Sequence, residues 1–184
     1  NLLKKNSRFV FSKTDIANKS KMSLIFKNNK PNLVINLAAQ AGVRDSLKYP
    51  EKYLKYNIMG FLNLCELSKE YKVKRLIYAS TSSVYGLNKN LPYNVTDPVD
   101  HPKQFYAVTK RTNELMAHTW SNLYNIETVG LRFFTVYGPW GRPDMALYKF
   151  VENILNNKPI NLYNFGNHFR DFTYIDDIVE GIYL

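Results

Sequence analysis

The sequence predicts an α/β fold built on a parallel sheet. Three observations carry this expectation. Short apolar runs alternate along the chain with longer amphipathic stretches, the order expected when each strand is followed by a crossover helix. The run "PNLVINLAAQAG" (31–42) is apolar without alternation and ends in small residues, the composition of a strand buried on both faces. "ASTSSVYG" (79–86) places four hydroxyl residues directly after another such run. Open α/β sheets hold their ligands there, outside the carboxyl ends of the strands.

Taken in order, "RFVFSKTDI" (8–16) reads as a strand running into a polar turn, and 13–29 carries Ile16, Met22, Leu24 and Ile25 at helical spacing. After the 31–42 strand, Pro50 opens an amphipathic helix to about Tyr71, placed where its missing N–H costs nothing. "KRLIYAS" (74–80) is another buried strand, and a loop rich in Pro, Asn and Asp runs from Tyr85 to about Pro102. Tyr106 to Tyr124 reads as helix, 126–134 as strand, 145–157 as helix and 160–163 as a short strand before "RDFTYIDDIVEGI". The ends, an opening without Met and a close partway through a helical pattern, read as those of a fragment.

The 184 residues, 45% hydrophobic, suffice for one core. No apolar run approaches the ~20 residues that span a bilayer, and no signal-peptide pattern opens the chain, so no membrane partner is expected. The net charge of +10 is spread over lysines interleaved with asparagines, with no basic block. That is the pattern of a solvated surface rather than of a nucleic-acid groove, although it suits a small polyanionic substrate. The single cysteine, Cys65 in "FLNLCELSKE", excludes an internal disulfide and reads as a buried thiol in a reducing, cytoplasmic compartment. His101, His118 and His168 lack metal-ligand spacing, and no metal is expected.

"FYAVTK" sets Tyr106 four positions before Lys110. In a chain with 14 tyrosines and many lysines this spacing arises about once by chance, and Tyr85–Lys89 in "YGLNK" repeats it. Context separates the two. Tyr85 is followed by Gly86 in a loop, whereas Tyr106 starts a helix, which puts Lys110 one turn on and on the same face. A phenol beside an ammonium ionises more readily. Each unit of lowering is ~1.4 kcal/mol, so bringing a phenol from ~10 towards 7 takes several kcal/mol of local field. The product is a base able to take a proton from a sugar or alcohol hydroxyl at neutral pH. The four hydroxyl residues of "ASTSSVYG" stand where one could steady that hydroxyl, although a plain Ser/Thr turn gives the same sequence.

In order and spacing, "NLAAQAGVR", "ASTSSVYG", "YAVTK", "LRFFTVYGPWGRPDM" and "RDFTYIDD" resemble the extended short-chain dehydrogenase/reductase family. Within it they are most similar to the NAD-dependent UDP-glucuronate 4-epimerases, from about Phe9 to Leu184. The resemblance implies a Rossmann-type parallel sheet with helices on both faces. It assigns 1–135 to a partial NAD-binding domain and 136–184 to a partial nucleotide-sugar-binding region interleaved with it. Tyr106 becomes the base, Lys110 its electrostatic partner and a contact of the nicotinamide ribose, and Thr81 the hydroxyl that meets the substrate, with Ser82 and Ser83 close by. Asp15 and Ile16 match the acidic–aliphatic pair at the adenine, Leu37, Ala38 and Ala39 the strand end under the dinucleotide, and Asn57 the helix asparagine behind the site. Arg170 matches the arginine that grips the UDP pyrophosphate, a task suited to its fork of donors. The family's glycine-rich βαβ unit is absent from these residues, so the stretch alone is expected to bind NAD poorly, to be unstable and to be inactive. The helices near Pro50 and Tyr106 match those that pair in family homodimers.

Departures within the superfamily narrow the implied reaction. Related 4,6-dehydratases carry an Asp-Glu pair just before "VYG" and the decarboxylases a Glu; Ser82 and Ser83 stand here instead. With no carboxylate to assist elimination or loss of carbon dioxide, 4-epimerisation of a UDP-sugar is implied. UDP-galactose 4-epimerases show Asn after the "RYF" of the matching strand, whereas "RFF" runs into Thr135. The short hydroxyl leaves room for a uronate carboxylate, with Arg44 and Arg142 as candidates to attract it; surface salt bridges are the competing reading for both. A neutral UDP-hexose epimerase, another nucleotide-sugar oxidoreductase and a non-catalytic nucleotide binder remain as alternatives.

Overall fold

A computed structural model describes residues 3–167 and 169–184. His168 lies outside the described residues. The chain divides into two compact units, Asn1–Arg132 and Phe133–Leu184.

In the first unit, β1 (Leu33–Asn36), β2 (Arg75–Ala79) and β3 (Glu127–Leu131) form a parallel sheet in that order. Leu33 lies opposite Arg75, and Arg75 opposite Glu127. The expected α/β class is therefore the observed one. Helix α1 (Lys19–Asn29) leads into β1, and α2 (Val43–Lys48), α3 (Pro50–Tyr53), α4 (Gly60–Glu70) and α5 (Phe105–Tyr124) lie in the connections between the strands. Helix α1 starts where the Asn18 side chain accepts from Lys21 N, and α5 ends where Asn125 turns into the left-handed region that Asn tolerates. Between α3 and α4 the backbone widens into a π-helical turn, Leu54–Met59. The helix expected from Pro50 is thus one rod with a π segment in its middle, a feature frequent at functional sites.

One side of the sheet packs through Leu76 and Tyr78 of β2 against Phe61 and Cys65 of α4 and Ala117 of α5. Met116 and Trp120 pack at its margin, while Leu123 is exposed. A second cluster joins Met22 and Phe26 of α1 to Leu64 and Leu67 of α4. Each fully buried side chain of this size contributes roughly 1.5–3 kcal/mol. Cys65 is wholly buried, as expected, and burial pushes its thiol up to about 12. Gly60 has a packing reason: a Cβ there would stand 2.7 Å from Ile16 Cγ1, so its absence lets the Ile16 turn lie on α4.

Four element expectations are corrected, three here and one in the second unit's first strand below. Residues 9–15 belong to no ladder, and Val10 and Phe11 are exposed, because an apolar run becomes a strand only beside a hydrogen-bonding neighbour. β1 is buried on neither side as fully as its composition suggested: it pairs only with β2, and Leu33 and Ile35 are nearly half exposed (48% and 45%). Residues 160–163 form no strand. Asn153 Nδ2 donates to Pro159 O, 160–162 run irregularly, and the chain then turns through Asn164 and Phe165 at positive φ (48° and 51°).

In the second unit, β4 (Thr135–Tyr137) pairs in parallel with β5 (Phe172–Tyr174), alongside α6 (Ala146–Leu155) and α7 (Ile175–Tyr183). The run expected as one strand over 126–134 stops at Leu131, and the next ladder begins at Thr135. No helix among the described residues is long and apolar enough to cross a membrane. Among the described residues no cluster of His, Cys, Asp and Glu could hold a metal ion.

Candidate active site

Strand β2 ends at Ala79, and Thr81 caps a short 3₁₀ turn, Ser82–Tyr85, by accepting from Ser83 N at 3.2 Å. Thr81 is buried, while Ser82 and Ser83 are partly exposed. Of the four hydroxyl residues, Ser80 is committed elsewhere, donating to Glu114 Oε1 at 2.6 Å. Gly86 closes the turn at φ +56°, where a Cβ would collide with the His101 carbonyl oxygen. The backbone at 86 and 101 meets so closely that only glycine fits.

Helix α5 carries both Tyr106, in its first turn, and Lys110. Lys110 is 3% exposed, and its Nζ donates to Ala79 O at 2.7 Å, beside the Thr81 turn. Burial lowers its pKa to about 8. An ammonium has three donors, so further donor capacity remains for other acceptors. The start of α5 is set by Ser46 of α2, which donates to Val43 O at 2.6 Å and accepts from Tyr106 N at 3.1 Å. The Tyr106 ring meets Tyr53 edge-on at 6.3 Å. Arg44 lies on the same α2, with an exposed side chain.

Asn57 sits in the π segment, and its side chain bonds outside the helix. Its Oδ1 accepts from Gln40 N at 2.7 Å, and its Nδ2 donates to Gln40 O at 3.0 Å and to Thr109 Oγ1 at 3.1 Å. Thr109 in turn donates to Tyr106 O at 2.8 Å. A buried amide thus ties the exit of β1 to the turn that presents Tyr106. The sequence-predicted Leu37, Ala38 and Ala39 lie just before Gln40 and are exposed. Asp15 accepts from Ala17 N at 2.9 Å, and Ile16 O accepts from Asn63 Nδ2 at 3.0 Å. Small exposed residues after β1, a buried cation with donor capacity and an acidic turn resting on α4 are compatible in chemistry with a dinucleotide.

The remaining expected residues lie in the second unit. Thr135, Arg142 and Arg170 line one cleft of about 670 Å3. Arg142 makes a bidentate salt bridge to Asp144, at 2.9 and 2.7 Å, and holds that carboxyl below the usual range. The salt bridge weighed against a substrate role for Arg142 is therefore present. Arg170 donates to Phe169 O at 2.7 Å and is exposed.

Motif reading missed the group with the most hydrogen bonds near the site, Glu114. Its carboxylate accepts from Ser80, Arg111 and Arg132. Burial opposes its ionisation, but these donors outweigh it and keep its pKa below the ordinary value. A Glu four residues after Lys110 on one helical face was the available signal.

A parallel sheet flanked by helices, whose central strand exits into hydroxyls with a buried lysine on that exit, is an open α/β arrangement. The chain belongs to the NAD dependent epimerase/dehydratase family, whose model matches residues 2–184. It is 56% identical over 174 residues to Protein CapI of Staphylococcus aureus, covering 95% of this chain and 52% of that protein. It is 54% identical over 153 residues to a probable UDP-glucuronate 4-epimerase of Rhizobium meliloti, covering 83% of this chain and 45% of that protein. Among solved structures, UDP-glucuronic acid 4-epimerase from Bacillus cereus, in complex with UDP-glucuronic acid and NAD, superimposes with a TM-score of 0.89. The identity there is 39%, over 98% of this chain and 56% of that one. The chain spans about half the length of the curated relatives it matches.

Proposed function

We propose that the protein containing this chain is an NAD-dependent UDP-sugar 4-epimerase acting on UDP-glucuronate, with UDP-galacturonate as product. The observation that carries this reading is the buried Lys110 ammonium on Ala79 O, one residue from the Ser80–Thr81 step and one helical turn beyond Tyr106. Bound NAD supplies a reversible hydride acceptor at sugar carbon 4. Tyr106 takes the proton of the 4-hydroxyl, helped by the Lys110 charge, while Thr81 holds that hydroxyl in line. After the 4-keto sugar has turned its other face, carbon 4 would regain the hydride held by the reduced nicotinamide as Tyr106 gives the proton back to the oxygen. Lys110, with Leu37, Ala38 and Ala39, forms part of the dinucleotide cradle, Asp15 and Ile16 meet the adenine, and Asn57 stiffens the cradle from behind. Arg170 is assigned to the UDP pyrophosphate, and Thr135, Ser82, Ser83, Arg44 and Arg142 to the sugar. Remote binding of UDP keeps the keto intermediate aligned.

A homodimer belongs to the same reading. It is supported by the exposed apolar residues Leu54 and Met59 on the Pro50 rod and Val108 and Leu115 on α5. A cytoplasmic setting fits the lone buried thiol. The deciding experiment incubates the full-length protein with UDP-glucuronate and UDP-glucose separately. Conversion of UDP-glucuronate is expected; product from UDP-glucose alone overturns the uronate assignment.

A further inference from the structure

Glu114 lies on α5 one turn beyond Lys110 and two beyond Tyr106, and its side chain is 9% exposed. Four hydrogen bonds converge on its carboxylate. Ser80 Oγ donates to Oε1 at 2.6 Å and Arg132 Nε to the same oxygen at 3.0 Å. Arg132 Nη2 reaches Oε2 at 3.0 Å and Arg111 Nη1 reaches it at 3.2 Å. The donors come from three places: the residue after β2, the residue after β3, and α5 itself. The two arginines extend outward. Arg132 donates through Nη1 to Val95 O at 3.2 Å and lies over the Tyr85 ring, 5.0 Å from its centroid. Arg111 Nη2 reaches Asp100 at 3.2 Å. The loop between Gly86 and Pro102 is therefore fastened at Val95 and Asp100 to groups that share one carboxylate.

We propose that Glu114 is a positioning residue: by pinning Ser80 it fixes the Thr81 turn and the Ala79 carbonyl on which Lys110 rests. This rests on the site reading above and adds a residue to it. The geometry is a two-point grip. Lys110 and Glu114 occupy one face of α5, a turn apart, and hold the consecutive residues 79 and 80. The backbone of the strand exit is held on its β3 side, where Ser80 N donates to Leu131 O at 2.8 Å, and the Lys110 and Glu114 contacts fasten it to α5 as well. Held from both sides, the exit keeps its direction, and with it the aim of Thr81 relative to Tyr106. A buried ion pair serving only Arg132 has no need of Ser80. The 2.6 Å bond from Ser80 is the contact that a purely structural salt bridge leaves unexplained.

The test uses the full-length protein with Ser80→Ala, Glu114→Leu and the double variant. Ser80→Ala is the cleaner probe, because it removes only the hydroxyl link and leaves both arginine pairs intact. Expected for Ser80→Ala is a roughly tenfold fall in kcat with the UDP-sugar KM unchanged, the signature of misalignment rather than weakened binding. Amide hydrogen exchange over 80–83 quickens about tenfold relative to β3, as a local opening does. The double variant is no worse than Glu114→Leu, since leucine offers no acceptor and both changes cut one connection. Ser80→Ala with wild-type kcat, or with exchange over 80–83 unchanged, overturns the proposal, as do losses that add in the double variant. If Glu114→Leu fails to fold, Ser80→Ala decides alone. If the unaltered protein turns over no UDP-sugar, the epimerase reading fails, and the exchange measurement alone then upholds or overturns the role of Glu114.

Discussion

Lys110 Nζ lies 2.7 Å from the carbonyl oxygen of Ala79, buried so thoroughly that its pKa falls from 10.5 to about 8. Below pH 8 the folded and unfolded chains both carry the proton, and the folded state bears the whole cost of the buried charge. Between pH 8 and 10.5 only the unfolded chain holds it, so stability rises with pH across that window. At ~1.4 kcal/mol per pH unit the relief is roughly 3 kcal/mol. Urea denaturation from pH 7 to 10.5, comparing the protein with Lys110→Met, reads it as a difference that cancels other titrations. The variant is expected to lack the rise; a difference constant with pH contradicts the burial argument.

Removing the phenol oxygen isolates chemistry from packing. In Tyr106→Phe the ring keeps its edge contact with Tyr53 and the backbone N–H its bond to Ser46 Oγ. Turnover of a UDP-sugar by the full-length protein should fall by roughly 10²–10⁴, the range for loss of a general base. Stability should change by no more than about 1 kcal/mol. Intact turnover removes Tyr106 from the mechanism.

Asn57→Ala should act on the fold first. It strands the N–H and C=O of Gln40 and a partner of Thr109, all dependent on one buried amide. Leaving such groups unpaired costs ~1–3 kcal/mol each before relaxation, so a loss near ~3 kcal/mol is expected in chemical denaturation. A loss below ~1 kcal/mol implies that water replaces the amide without strain.

Gly86→Ala should be worse than its size implies. The added methyl meets the carbonyl of His101, which is backbone and cannot swing away, at a φ of +56° that disfavours a side chain. A loss of ~3 kcal/mol or more is expected from strain and overlap together. A variant as stable as the parent shows that the 86–102 loop shifts freely.

Helix α5 was legible in the sequence because its apolar and hydroxyl residues repeat with the helical period, and the exit of β2 because four hydroxyls follow an apolar run. Those two elements are enough to bring Lys110 to Ala79. Ladder membership was less legible. Residues 8–16 and 160–163 have the composition of strands, but a strand is a relation between two segments, and no composition supplies the second. The π turn around Asn57 was hidden for a similar reason: the Asn57 side chain bonds the backbone of Gln40, 17 residues earlier. Glu114 went unread because three of its four bonds come from residues 18 and 34 positions away.

Along Leu33–Asn36, the side of β1 turned from β2 offers backbone donors and acceptors to no strand among the described residues, next to the half-bare side chains of Leu33 and Ile35. Such a rim is adhesive, because any extended peptide that docks there gains main-chain bonds and apolar cover at once. The 184-residue chain by itself should therefore stick to copies of itself as its concentration rises, and a charged residue in place of Ile35 should keep it dispersed.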